Sequence, residues 1–142
     1  TTPRPFHGDW LPLRQDEMMV WLPAHHPLAK ERAYPIQRLA EENFIQPLPG
    51  YDTDVEKLLQ KEQIHCQKHF SSVDNYTTYR LVEAGLGVSI NNKLMTASWH
   101  GSVAVLPMEP PHYIELGIAV PSLAHASPAV RKFIAYVQAG IQ

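Results

Sequence analysis

Eight histidines, at positions 7, 25, 26, 65, 69, 100, 112 and 125, are the side chains best suited to metal chemistry in this sequence. His65 and His69 are spaced for one face, but the segment around them reads as strand. On a strand, residues four apart lie about 13 Å from each other, too far for one zinc ion. No HExxH, CxxC or HxH pattern occurs, so the histidines read as scattered surface residues and no metal site is expected. Cys66 is the single cysteine. A nucleophilic thiol needs an electropositive setting and a basic partner, and His65 points to the opposite face of a strand. Cys66 therefore reads as a small half-buried thiol. Gly85-Leu86-Gly87-Val88-Ser89 lacks the glycine after serine that a hydrolase elbow requires. Its glycines also follow a helix and precede a strand, the reverse of a dinucleotide fingerprint. The carboxylate pairs Asp16-Glu17 and Glu41-Glu42 are sequence neighbours and read as solvated. No acid, base and nucleophile assemble. The residues predict neither an enzyme nor a cofactor.

Binding chemistry is better placed. Three junctions join strands to helices or turns: residues 46–53 (Gln46-Pro47-Leu48-Pro49-Gly50-Tyr51-Asp52-Thr53), 71–76 (Ser71-Ser72-Val73-Asp74-Asn75-Tyr76) and 89–92 (Ser89-Ile90-Asn91-Asn92). Each carries small polar groups to the carboxyl end of a strand, where open α/β sheets hold ligands. Unpaired N–H groups at a helix start suit a carboxylate or phosphate. Capping and turn formation account for any one of these residues alone; a shared cleft accounts for the three loops together.

The elements that position these loops follow from pattern. Residues 1–15 read as an extended arm, and Met18–Leu22 as a buried strand stopped by Pro23. Pro35 opens a short helix, 36–41, with Ile36, Leu39 and Ala40 on one face. A strand over 43–46 leads to a helix signalled by the capping box Thr53-Asp54-Val55-Glu56, with Val55, Leu58 and Leu59 turned inward. A polar strand, 65–71, precedes a helix over 75–84, capped by Asp74 or Ser72 and closed by Gly85. Strands are expected at 88–90, at 103–106 (ended by Pro107) and at 113–120, with a helical turn within 91–100. A final helix has Ser127 as N-cap, Pro128 at N1, Val130, Phe133, Ile134 and Val137 on one face, and Gly140 at its close. The alternation predicts an α/β fold with a mostly parallel sheet flanked by helices.

Composition bounds the rest. A chain of 142 residues suggests one domain. Apolar residues at 44% and charged residues at 18% indicate a globular chain rather than disorder. The net charge of -2 leaves no electrostatic footprint for nucleic acid on this segment. A single cysteine fits a reducing compartment, and no apolar run is long enough to span a membrane. The missing initiator methionine suggests a piece of a longer protein.

Four segments carry a resemblance. Val20-Trp21-Leu22-Pro23-Ala24-His25-His26-Pro27-Leu28-Ala29 resembles the strand and "HPLA" turn of LysR-type transcriptional regulators. The segment 38–45 resembles the short helix and strand that follow. Tyr79-Arg80-Leu81-Val82-Glu83-Ala84-Gly85-Leu86-Gly87-Val88-Ser89-Ile90 resembles the "LV.AG.GVSI" stretch of their effector domain, and 127–134 the closing helix. The matches run in order from about residue 10 to 138. Asn91-Asn92 departs from the Leu-Pro usual at that position.

The resemblance implies a fragment of a two-lobed effector-binding domain of the periplasmic-binding-protein type. Residues 1–17 would be an arm or remnant of the first lobe, 18–92 the second lobe with both hinge strands, and 93–142 the return to the first lobe. It implies a small-molecule effector, anionic in one reading, held by Gln46, Pro47, Gly50, Tyr51, Asp74, Asn75, Ser89 and Asn91. It further implies a cytoplasmic homo-oligomer without membrane contact, touching DNA only through an N-terminal domain absent from this chain. Effector would act by shifting the population of lobe arrangements. A solute receptor of the same fold is the competing expectation.

Overall fold

The computed structural model describes residues 7–51 and 53–141; residues 1–6 of the predicted arm and Asp52 of the first junction lie outside them. Strand β1, Asp9–Pro23, is much longer than its apolar run. Its first half is partly exposed and pairs with β7, Tyr113–Val120. That partner lies so far along the chain that local periodicity shows only an arm. The second half, Met18–Leu22, is buried between two antiparallel neighbours, β5 (Ser89–Asn92) and β6 (Val103–Glu109), with Val20 opposite both Ile90 and Leu106. Successive side chains there point to opposite faces, and all five are at most 6% exposed, so burial of both faces explains the unbroken apolar sequence.

Parallel pairing occurs where β3 (Asn43–Pro47) meets β4 (Gln67–Ser72), at the Phe44–Val88 bridge, and where β2 (Tyr34–Pro35) joins β6. The architecture is mixed α/β with open sheets, and the long strand is antiparallel to both β5 and β6. Alternating strands and helices set the class, whereas direction depends on which strands become neighbours. β6 also continues through Pro107, which was expected to end it. Pro107 is the last residue paired with β1, opposite Met19, and the next two residues pair with β2 on the other side. A residue without an N–H is tolerated where one ladder hands over to another.

The helices follow their caps. In α1, Asp54–Lys61, the Thr53 hydroxyl accepts the Glu56 N–H at 3.2 Å, and Val55, Leu58 and Leu59 are buried. The reciprocal half of the capping box does not form: the Glu56 carboxylate turns to Gln46 and Lys68, while the Thr53 N–H bonds to the Tyr51 carbonyl. In α2, Asn75–Glu83, Asp74 is the cap, and Gly85 takes the left-handed conformation (φ 79°) just past the end. Ile36–Glu41 is a 3-10 helix; its three-residue repeat buries Ile36 and Leu39 and leaves Ala40 exposed, contrary to the α-helical expectation. The predicted turn after β5 contains a short α3, Lys93–Thr96.

The "HPLA" turn is held by a histidine. His26 Nδ1 accepts the Leu28 N–H at 3.1 Å, so Nε2 carries the hydrogen it donates to Glu42 at 3.0 Å. The Tyr34 hydroxyl donates to the same carboxylate oxygen. Burial first, then the Glu42 charge, raises the pKa of Tyr34 far above the ordinary phenol value.

The chain divides into two compact units, Glu17–Tyr113 and one that ends at Asp16 and resumes at Ile114. Residues 93–113, expected with the first lobe, belong to the Glu17–Tyr113 unit, where β6 pairs with β1. That unit has its core in Trp21, Leu22, Tyr34, Phe44, Ile45 and Val82, all fully buried. In the other unit, Trp10 Nε1 donates to Glu115 at 2.6 Å and the Leu123 N–H to Asp9 at 2.6 Å. There α4, Pro128–Gly140, is capped by Ser127 as expected, but Gly140 is its last helical residue rather than the residue beyond. Only Ile134 of the predicted face is buried, and Phe133 remains 57% exposed.

Candidate functional site

All eight expected binding residues lie in the Glu17–Tyr113 unit, at the carboxyl ends of β3 and β4, in the loops that follow, and on β5. Gln46 and Pro47 end β3 and stand in register with Ser71 and Ser72 of β4. Ser72 Oγ accepts the Asp74 N–H at 3.1 Å, and Asn75 opens α2. Parallel pairing therefore draws two junctions, 25 residues apart between Gln46 and Ser71, to one end of the strands.

Their side chains are oriented by donor and acceptor logic. Gln46 Nε2 donates to Glu56 Oε1 at 2.8 Å, and Lys68 Nζ donates to the same oxygen at 2.7 Å. A carboxylate only accepts, so the amide nitrogen of Gln46 must face it. The backbone N–H of Asn92 only donates, which turns Asn91 Oδ1 toward it at 2.9 Å. Asn91 Nδ2 then donates to Asn75 Oδ1 at 2.9 Å, and the amide nitrogen of Asn75 is left as the outward donor. Asn91 is only 9% exposed. It acts chiefly by setting Asn75.

The remaining residues differ in accessibility. Ser89 is fully buried, with its hydroxyl donated to the Ile45 carbonyl at 2.9 Å, so it ties β5 to β3 and presents nothing outward. Gly50 holds a left-handed turn (φ 83°) with open space where a Cβ would stand. Tyr51 beside it is 67% exposed. Asp74 is held below the usual carboxylate range by the backbone N–H and side chain of Thr77, and is anionic at neutral pH. None of the eight residues is a cation.

Cys66 borders a cavity of about 430 Å³ together with Glu56, Leu59, Ile64, His65 and Lys68. Burial pushes its thiol up from 9.0 to about 11, with Lys68 opposing and Glu56 adding. Two pH units correspond to roughly 100-fold less thiolate near neutrality. Iodoacetamide should accordingly modify native Cys66 at pH 8 roughly 100-fold more slowly than the urea-unfolded chain, and catch up as pH approaches 11. Equal rates at pH 8 would contradict this burial. Among the described residues, no three His, Cys, Asp or Glu side chains gather as a metal site.

The sequence reading passed over an aromatic group beside α2: Trp21, Tyr76, Tyr79 and Trp99, with neighbouring ring centroids 5.3–5.8 Å apart. The three-residue spacing of Tyr76 and Tyr79 on a helix was a usable signal. Nothing local marks Trp99.

Residues 1–142 match the family model for the LysR substrate binding domain. In Bacillus subtilis (strain 168), the uncharacterized HTH-type transcriptional regulator YvbU is 27% identical over 128 residues, 89% of this chain and 44% of that protein. A second regulator of that organism, YybE, is 34% identical over 83 residues, 57% of this chain and 28% of its own length. The chain thus spans less than half the length of these relatives. The regulatory domain of CcmR from Synechocystis PCC6803, solved with 2-PG, superposes with a TM-score of 0.89 at 20% identity, covering 100% of this chain and 71% of that one. The effector binding domain of QuiR, solved with shikimate, gives 0.80 at 25% identity, covering 99% and 68%.

Proposed function

Because this chain belongs to the LysR substrate-binding-domain family, we propose that it is the ligand-sensing part of a transcriptional regulator. The family match along the whole chain is the observation that carries this reading. In it, Glu17–Tyr113 forms one lobe, and the residues beyond Tyr113 return to the other. A small molecule meets the Gln46–Tyr51 loop and the Asp74–Asn75 junction, with Asn91 orienting Asn75. DNA contact, self-association and a cytoplasmic location belong to the longer protein. Among the described residues no helix is long and apolar enough to cross a membrane.

The residue types suggest which part of an effector this side holds. Asn75 offers a donor, Asp74 an ionised acceptor and Tyr51 an exposed phenol; none of the eight residues is a cation, and the nearby Lys68 is paired with Glu56. Such a set suits hydroxyl or amide groups and repels a carboxylate placed directly upon it. An acidic effector would turn its hydroxylated end this way. Shikimate, the ligand of the QuiR domain, has both kinds of group, and 2-PG accompanies CcmR.

Calorimetric titration of shikimate, 2-PG and a panel of small hydroxy acids tests the site. Removing a hydrogen-bonding partner is worth about 0.5–1.5 kcal/mol, so Gln46→Ala and Tyr51→Ala should each weaken a true effector by up to about tenfold. Unchanged affinity in both variants would displace the site. A panel without a single binder would count against ligand sensing by this chain, and reading the gene upstream of Thr1 tests the regulator. An in-frame winged helix-turn-helix supports it; a signal peptide points to a solute receptor instead.

A further inference from the structure

A second cavity lies within the Glu17–Tyr113 unit, apart from the Gln46 loop. It is an open hollow of about 550 Å³, lined by Met19, Tyr79, Trp99 and Val105 together with the exposed Lys93 and His100. That volume is within the range of small-molecule sites, about 300–1,000 Å³. Its aromatic wall is built rather than incidental. Tyr79 and Trp99 meet edge-on at 5.3 Å, Trp21 backs both at 5.6 and 5.8 Å, and Tyr76 closes on Trp99 at 5.5 Å.

Two further observations set this wall apart from ordinary core. The Trp21 indole N–H is completely buried and has no acceptor. Such a donor costs about 1–3 kcal/mol, a loss the fold accepts while Trp21 backs the two rings, Tyr79 and Trp99, that line the cavity. Gly101 lets the chain pass close to Tyr79: a Cβ there would stand 2.7 Å from Glu83 Oε1 and 3.0 Å from the Tyr79 ring. The nearby Glu83 carboxylate is already engaged by the Ser102 N–H and by Arg80.

The charge at the opening favours an anion. Lys93 lies 3.7 Å from Glu17, but its side chain is 65% exposed, and surface pairs of that kind are worth little. Its ammonium group is free to exchange one carboxylate for another. His100 adds an imidazole at the same opening whose ring N–H can donate a hydrogen bond to an acid group. We propose that this cavity is a second ligand site, which takes a planar ring bearing an acid group. The ring lies against Trp99 and Tyr79, and the acid faces Lys93.

Calorimetry with cinnamate and its uncharged counterpart cinnamamide tests this directly. Cinnamate should bind at least about tenfold more tightly than cinnamamide, the equivalent of one favourable charge contact. Lys93→Gln should erase that difference. Ala97→Trp, which plugs the cavity from an exposed lining position, should abolish binding of both. Lys57→Gln, a change of equal charge on α1, should alter neither. Urea denaturation of each variant checks that the fold survives. Cinnamate that fails to saturate by about 1 mM, or an affinity that persists in both Lys93→Gln and Ala97→Trp, would overturn the proposal.

Discussion

Gly87→Ala should remove a large share of the stability of the Glu17–Tyr113 unit. A Cβ at this position would stand 2.2 Å from the Asn43 carbonyl oxygen and 3.2 Å from Ile45 Cγ1. The carbonyl cannot retreat cheaply, because it accepts the Val88 N–H at 2.9 Å while the Ile45 N–H returns to Val88 at 2.8 Å. Relieving the clash means parting β5 from β3. That breaks both bonds and strains the buried Ser89–Ile45 bond as well. At about 0.5–1.5 kcal/mol for each bond plus backbone strain, the expected cost is about 3–5 kcal/mol. Whole domains are stable by only about 5–15 kcal/mol. Gly50→Ala is the contrasting case: its left-handed φ is unfavourable for alanine, but nothing lies within 4 Å of the new Cβ. That change should cost about 1 kcal/mol. Urea midpoints measure both, and a Gly87→Ala midpoint equal to that of Gly50→Ala would refute the close approach.

The second large effect is expected from Trp21→Ala. Trp21 is fully buried, packs with Ile45, Tyr79 and Val82, and stands between Ser89 and Val105 in the central strand. Truncating a core tryptophan costs about 3–5 kcal/mol through lost burial and the cavity left behind. Trp21→Phe should cost much less, about 1–2 kcal/mol, because the ring contacts largely persist and the partnerless N–H disappears. Equilibrium unfolding of the two variants decides the matter. A phenylalanine variant as unstable as the alanine one would mean that the indole N–H is satisfied in solution.

Much of the local structure was readable along the chain. Thr53, Asp74 and Ser127 were legible as caps because a cap is a short-range exchange between a side chain and N–H groups within three residues. Met18–Leu22 was legible as a buried strand because burial of both faces leaves no polar position. The first half of β1 was not, since it is ordered by β7, about a hundred residues away. Glu56 misled for a related reason. Its spacing from Thr53 fits a capping box, but Gln46 and Lys68 offer stronger, partly charged donors once β3 and β4 approach α1.

The binding loops show the same division. Short-range chemistry was sufficient to mark Gln46, Gly50, Tyr51, Asp74 and Asn75 as polar junctions, and four ordered segments carried the family resemblance. Which of them present a group outward depends on contacts between distant parts of the chain. Ser89 is spent on Ile45, 44 residues away, and Asn91 on Asn75, 16 residues away. The aromatic cavity likewise exists only where β1, α2 and the segment after α3 converge. Caps, turns and periodic faces are written in neighbouring residues because their energies are local. Strand direction, the orientation of a buried amide and the walls of a cavity are set by long-range packing, which no window of sequence contains.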